Sequence, residues 1–321
     1  MLNGKYMNWT LWSLRVKLVG MTLSGLFVPL ITPFAADGSV ATEALAGLAH
    51  AALAEGATGI VALGTTAETA TLTDDERTLV VEICARVCRE RNAPLIVGAG
   101  TNSTAASLAA LDGLRSGIAA ALTVVPYYIR PTEAGVLAHF QHLAAASPVP
   151  LIVYNIPYRT GRTLGAETLL ALANTPNIIG VKHAVGMIDD TTIELMASRP
   201  KDFAVLAGDD LYAAPLLALG AAGAILATAT VATEAFAALV AGWRNGPIDE
   251  VRALGHRLAV LSSALFAEPN PTVIKAVLAA RGRIPTAAVR LPLLAARDQT
   301  TAAALAALDH FAAHRAERSM R

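Results

Sequence analysis

The chain carries five lysines, Lys5, Lys17, Lys182, Lys201 and Lys275, and among them only Lys182 closes an apolar run of strand type, Asn177-Ile178-Ile179-Gly180-Val181-Lys182. An amine at such a buried end is disfavoured as ammonium, so its pKa falls and neutral nitrogen becomes available to attack a carbonyl and form a Schiff base. A lysine so placed could instead pair with a carboxylate and serve structure alone. Another apolar run, Leu151-Ile152-Val153-Tyr154, brings a phenol to its own end. Beside an imine-forming lysine, that phenol can carry protons to and from a carbinolamine or an aldehyde oxygen. On its own it would read as a core tyrosine with a satisfied hydroxyl.

Two further features suit carboxylates. Gly64-Thr65-Thr66-Ala67-Glu68-Thr69 gathers backbone N–H groups and hydroxyls in a tight turn, an arrangement that can meet several carboxylate lone pairs at once. Thr73 with Glu76 just beyond it reads as the capping box of the next helix. Arg159, five residues after Tyr154, offers a bidentate clamp for a second carboxylate, although a loop arginine equally suits solvent. The histidines assemble no metal site: His139 with His142 and His310 with His314 are helix-spaced pairs without a recognised zinc companion, expected on solvated faces. His183 alternates to the side of its strand opposite Lys182. Glu268-Pro269-Asn270-Pro271 reads as a rigid turn opening a helix.

Positioning these groups requires a scaffold with many strand ends on one face. Eight short apolar runs recur: Leu26–Ile31, Gly59–Leu63, Leu95–Ala99, Ala120–Val125, Leu151–Tyr154, Ile178–Lys182, Phe203–Ala207 and Ala224–Ala229. Each is too short for a helix and lacks polar alternation, as expected of strands covered on both faces, and alanine- and leucine-rich helical stretches fill the gaps. This pattern predicts an α/β fold, a (β/α)8 TIM barrel over residues 21–248, with chemistry at the C-terminal ends of its strands. Residues 249–321 read as a C-terminal extension of three helices, near Asp249–Phe266, Pro271–Arg281 and Thr300–Glu317. Residues 1–20 read as an extension outside the fold. A doubly wound sheet shares the alternation, but no G-x-G-x-x-G turn follows the first strand and no P-loop is present.

With 321 residues, 54% of them hydrophobic and 16% charged, the chain can bury a large core. Its 25 basic and 25 acidic residues leave no net field for nucleic acid or an anionic membrane, which favours small-molecule partners. Leu211–Thr233 is uncharged and long enough to span a bilayer, yet Pro215, Gly220, Gly223 and three threonines break it into helix, turn and strand. Lys5, Arg15 and Lys17 interrupt any signal-peptide core. Cys84 and Cys88 lie one helical turn apart and read as small core side chains in a protein of the reducing cytoplasm.

Taken together, Gly64-Thr65-Thr66-x-Glu68, Pro126-Tyr127-Tyr128-Ile129-Arg130-Pro131, Tyr154-Asn155-Ile156-Pro157-Tyr158-Arg159-Thr160-Gly161, Gly180-Val181-Lys182, Gly208-Asp209-Asp210 and Glu268-Pro269-Asn270-Pro271 resemble the dihydrodipicolinate synthases. That group belongs with N-acetylneuraminate lyase in the pyruvate-dependent class I aldolases. The resemblance runs from about Ser24 to near the end of the chain. It implies a lyase without cofactor or metal, in which Lys182 forms an imine with pyruvate and the derived enamine attacks L-aspartate 4-semialdehyde, for lysine and diaminopimelate synthesis. It further implies a proton relay of Thr66, Tyr154 and Tyr128, the last crossing into a partner's site, and hence a homodimer or a homotetramer built as a dimer of dimers. Thr65 and Thr66 would hold the pyruvate carboxylate, Arg159 that of the aldehyde, and the Ile225 backbone would lie beside pyruvate. Two alternatives stay open: a catabolic 2-oxo acid aldolase or dehydratase acting on a sugar acid or another aldehyde, and a non-catalytic oxo-acid-binding barrel. Ala67 stands where these synthases usually carry glycine, which would alter the turn if glycine's backbone freedom were in use. His183 replaces a commonly acidic residue. Ala106 and Arg77 stand where the family's lysine-feedback site often has glutamate and histidine, which implies weak or absent feedback.

Overall fold

The computed structural model describes residues 23–114 and 117–319, with side chains as far as residue 313; the extension expected over residues 1–20 lies outside the described residues. Eight strands, β1 (Gly25–Pro29), β2 (Gly59–Ala62), β3 (Leu95–Gly98), β4 (Ala120–Val124), β5 (Leu151–Asn155), β6 (Ile178–His183), β7 (Ala204–Ala207) and β8 (Gly223–Ile225), form a closed barrel in sequence order. Every neighbouring pair is parallel, including β1 with β8. The predicted (β/α)8 TIM barrel is therefore the observed fold.

Alternating residues explain why both faces are apolar. Phe27, Val61 and Ile96 point into the barrel, where Leu206 and Ile225 join them. Their neighbours Leu26, Val28, Ile60 and Val97 point out, into the layer beneath the helices. A strand buried on both faces has no solvent side to mark with polar residues.

A main helix follows each strand, with one further helical turn, Pro157–Thr160, directly after β5: α1 (Thr42–Ala54), α2 (Asp74–Glu90), α3 (Thr104–Asp112), α4 (Glu133–Ala146), α5 (Ala166–Ala173), α6 (Asp190–Ser198), α7 (Ala213–Ala218) and α8 (Thr233–Asn245). Thr73 and Glu76 make the expected reciprocal capping box of α2. Ser103, Thr132 and Asp189 cap α3, α4 and α6 by accepting from backbone N–H groups three residues on. Three more helices follow, α9 (Ile248–Leu265), α10 (Thr272–Ala280) and α11 (Asp298–Ser319), close to the expected ranges. α9 packs along α7 and α8, and α11 lies against α9 and α10. Cys84 and Cys88 are free and buried on α2. Among the described residues no helix is long and apolar enough to cross a membrane.

Two expectations are corrected. The eighth strand ends at Ile225 rather than Ala229, and Thr228–Thr230 forms a 3-10 turn. The cause is a long-range carboxylate: Asp210, in the loop after β7, accepts from the N–H of Thr228 at 2.6 Å and of Ala227 at 3.4 Å, turning the chain away from the ladder. His139 is not on a solvated face. It is 6% exposed, with Nδ1 at 2.8 Å from the Thr104 hydroxyl of α3, whereas His142 on the same helix is exposed.

Candidate active site

Lys182 and Tyr154 are register partners on β6 and β5. Both project into the C-terminal mouth of the barrel, each 6% exposed. The ammonium nitrogen lies 4.2 Å from the centroid of the phenol ring, within cation–π range when charged. Burial lowers the Lys182 pKa to about 8; Asp210 opposes the shift, Arg159 adds to it and Asp209 opposes it. The amine thus sits where a useful fraction is neutral near pH 7, with two carboxylates nearby to steady the cation. Gly208 is required beside it: a Cβ there would stand 2.6 Å from Lys182 Cγ and 3.0 Å from Cε.

Burial also raises Tyr154, to about 12, against a hydrogen bond from the Thr65 side chain and the charge of Arg159. The phenol therefore stays protonated and able to donate. Sequence reasoning gave Thr66 the relay role next to this phenol; of the two threonines, Thr65 is the one whose side chain opposes the rise in the phenol's pKa. Thr66 is 3% exposed, and its Oγ1 accepts from Asn270 Nδ2 at 3.0 Å. Both threonines stand on the 3-10 turn Thr65–Ala67 after β2.

That turn is fixed by its own backbone. Ala67 N donates to Gly64 O at 3.0 Å, Thr69 Oγ1 donates to Gly64 O at 3.0 Å, and Thr32 Oγ1 donates to Ala67 O at 2.8 Å. The left-handed residues of this segment are Leu63 and Glu68, both with φ 54°, and Ala67 is not among them. Alanine in place of glycine therefore costs the turn no backbone strain, and its methyl is buried. Gly98, by contrast, is needed: a Cβ would lie 2.1 Å from the carbonyl oxygen of Leu63.

Arg159 leaves a single helical turn, Pro157–Thr160, at the rim, with its guanidinium 5.5 Å from the Tyr158 ring. It lines a cavity of about 470 Å³ together with Gly208, Asp209, Asp210, Glu268 and Asn270. It also lines the larger cleft that contains Thr65 and Tyr154. Arg159 therefore faces both the cleft that holds Thr65 and Tyr154 and the cavity beside Asp209 and Asp210. Ile225 is fully buried on β8 in the inner cluster with Tyr154. Tyr128 is not brought to this group: it is 88% exposed, with φ 68°, in the loop after β4. His183 points outward as expected, its Nε2 at 3.0 Å from Thr192 Oγ1. Among the described residues no group of three or more His, Cys, Asp or Glu could hold a metal ion.

Sequence reasoning missed Asp210, Asn270 and the partner of Glu68. Asp209-Asp210 after a strand and Asn270 between two prolines were visible as motifs, but only tertiary contacts show what their side chains meet.

The arrangement can bind an oxo acid, form an imine with it and move protons around the reacting carbon. Comparison with known proteins leads the same way. The model of the dihydrodipicolinate synthetase family matches residues 22–311. The 4-hydroxy-tetrahydrodipicolinate synthase of Neisseria meningitidis serogroup B is 39% identical over 287 residues, covering 89% of this chain and 98% of that one. The enzyme of the same name from Pseudomonas aeruginosa is 41% identical over 272 residues, covering 84% and 92%. A solved structure of a chloride-inhibited dihydrodipicolinate synthase from Acinetobacter baumannii, complexed with pyruvate, superposes with a TM-score of 0.86 at 36% identity and covers 91% of this chain and 99% of that one. With the buried lysine, the phenol and the threonine turn all in place over the matched length, the chain belongs to the dihydrodipicolinate synthetase family.

Proposed function

We propose that this protein is a lyase that condenses pyruvate with L-aspartate 4-semialdehyde to 4-hydroxy-tetrahydrodipicolinate through an imine on Lys182. The observation that carries the reading is the pairing of a buried amine, lowered to about 8, with the phenol at its side.

The pyruvate carboxylate enters the Thr65–Thr66 turn, which aligns its carbonyl carbon with Lys182 Nζ. Attack gives a carbinolamine, and loss of hydroxide needs a proton, which the Tyr154 phenol donates. The resulting iminium acidifies the pyruvate methyl group, and its proton goes to the Tyr154 phenolate, which restores the phenol for the next step. The enamine carbon then attacks the aldehyde, whose developing alkoxide takes its proton from Tyr154. Attack of the substrate's own amine on the imine carbon closes the ring and frees Lys182, with one water lost overall. Arg159, facing both cavities, holds the carboxylate of the semialdehyde as a paired charge.

Tyr128 acts, in this reading, in a second protomer. Its 88% exposure, beside Tyr127 at 40% and Ile129 at 59%, supports an aromatic loop seated against another copy. A homodimer would then be the smallest complete enzyme and a tetramer of two such dimers its natural extension. Sedimentation of the active species tests this, and full activity in a monomer would remove Tyr128 from the relay.

The choice of aldehyde rests on Arg159. Arg159→Ala is expected to raise KM for aspartate semialdehyde by about 30- to 100-fold, the value of a charge-assisted pair, and KM for pyruvate by only a few-fold. Equal effects on both, or faster turnover with a sugar-acid aldehyde, would favour a catabolic aldolase instead.

A further inference from the structure

Two charges that take no part in the chemistry above are buried completely. Lys275 on α10 is 0% exposed, and its Nζ lies 2.7 Å from Oε1 of Glu68, whose side chain is 1% exposed. Apolar residues fill such space at no greater cost, because the attraction of a buried pair seldom exceeds what desolvation takes. Packing alone therefore gives no reason for this pair.

Its location does. Glu68 is the residue immediately after the Thr65–Ala67 turn, and it adopts a left-handed backbone that side chains with a Cβ resist. Its second carboxylate oxygen accepts from the backbone N–H of Arg290 at 2.8 Å. The Lys275 ammonium and the Arg290 guanidinium both lie over the Phe34 ring, at 4.0 and 4.4 Å. Arg290 in turn binds Glu76 and the carbonyls of Thr71 and Gly38. The segment leading into α10 reaches the same turn again through Asn270, which donates to Thr66. The C-terminal helices thus hold the threonine turn at two points, the Thr66 hydroxyl and the Glu68 carboxylate, and the second depends on charge.

We propose that Lys275 is a positioning residue for the reaction: its buried pair with Glu68 fixes the pitch of the Thr65–Ala67 turn and so the placement of Thr65 in the cleft it shares with Tyr154 and of the adjacent Thr66 hydroxyl. The proposal rests on the imine reading of the site. It assigns the C-terminal helices a part in binding the oxo acid, acting through the turn and not by touching substrate.

The test uses the full-length enzyme. Glu68→Gln combined with Lys275→Met removes both charges at similar volume, which leaves no unpaired buried ion. This variant is expected to melt within a few degrees of the parent. KM for pyruvate is expected to rise about 10- to 100-fold, and the rate of borohydride-trapped imine formation to fall alongside it, as displacement of a binding group by a fraction of an ångström allows. KM for the aldehyde should change by less than about 2-fold, since Arg159 stands on another loop. Lys275→Arg keeps both charges but overfills the site against Phe34, and the same split between the two KM values is expected from it should the double variant not fold. Parental pyruvate KM and trapping rate in either folded variant would overturn the proposal. Absence of an adduct in the parent enzyme would instead overturn the imine reading itself.

Discussion

Replacing Lys182 by methionine should abolish activity and yet stabilise the fold in a pH-dependent way. Folding moves this amine from an ordinary pKa of 10.5 to about 8, and at 1.36 kcal/mol per pH unit the buried ammonium costs about 3 kcal/mol. Below pH 8 both folded and unfolded chains hold the proton and the whole cost is present. Between 8 and 10.5 the folded state has released it while the unfolded state has not, so the parent gains stability as pH rises. Methionine has no proton to bind, so its advantage over lysine shrinks by the same ~3 kcal/mol, most of it between about pH 7 and pH 10. For a chain of this size ~2 °C per kcal/mol is appropriate, which makes the change in the melting difference about 5 °C. Differential scanning calorimetry of the two proteins in matched buffers reads it directly. Ionisations remote from this amine are common to both proteins and cancel; among the described residues only Asp209 and Asp210 feel its charge. A melting difference that stays constant over this range would refute the claim that burial depresses this amine, and with it the source of the nucleophile.

Other consequences follow from the same geometry. Tyr154→Phe should lower kcat by about 10²- to 10³-fold with little change in pyruvate KM, because the phenol moves protons and does not hold the carboxylate; a rise in KM alone would assign it to binding. Gly208→Ala places a methyl group 2.6 Å from Lys182 Cγ, so imine formation should slow by at least about tenfold while the protein stays folded, read by stopped borohydride trapping and circular dichroism. With Ala106 and Arg77 at the positions named above, sub-millimolar L-lysine should leave the steady-state rate unchanged, and inhibition in that range would contradict the reading.

Much of this site was legible because parallel buried strands write themselves as apolar runs, and a lysine that ends one is conspicuous among only five. The eight runs, the C-terminal helices, the capping box at Thr73 and the outward turn of His183 all follow from local pattern. Where the pattern misled, a distant partner decided. Leu226 and Ala227 continue the apolar run of β8, but the carboxylate of Asp210 bends them into a turn. His139 is polar at a helical spacing that suits solvent, but α3 covers it and supplies Thr104. Thr65 and Thr66 are adjacent on a tight turn, so sequence cannot say which one faces the phenol and which one faces Asn270. Glu68 and Lys275 are 207 positions apart, and no local spacing relates them.

The measurement that bears most directly on the central claim is borohydride reduction in the presence of pyruvate, followed by intact mass and peptide mapping. The account predicts a single reduced pyruvyl adduct confined to the peptide that carries Lys182, absent when pyruvate is omitted. A folded protein that forms no adduct, or forms it on another lysine, would contradict it.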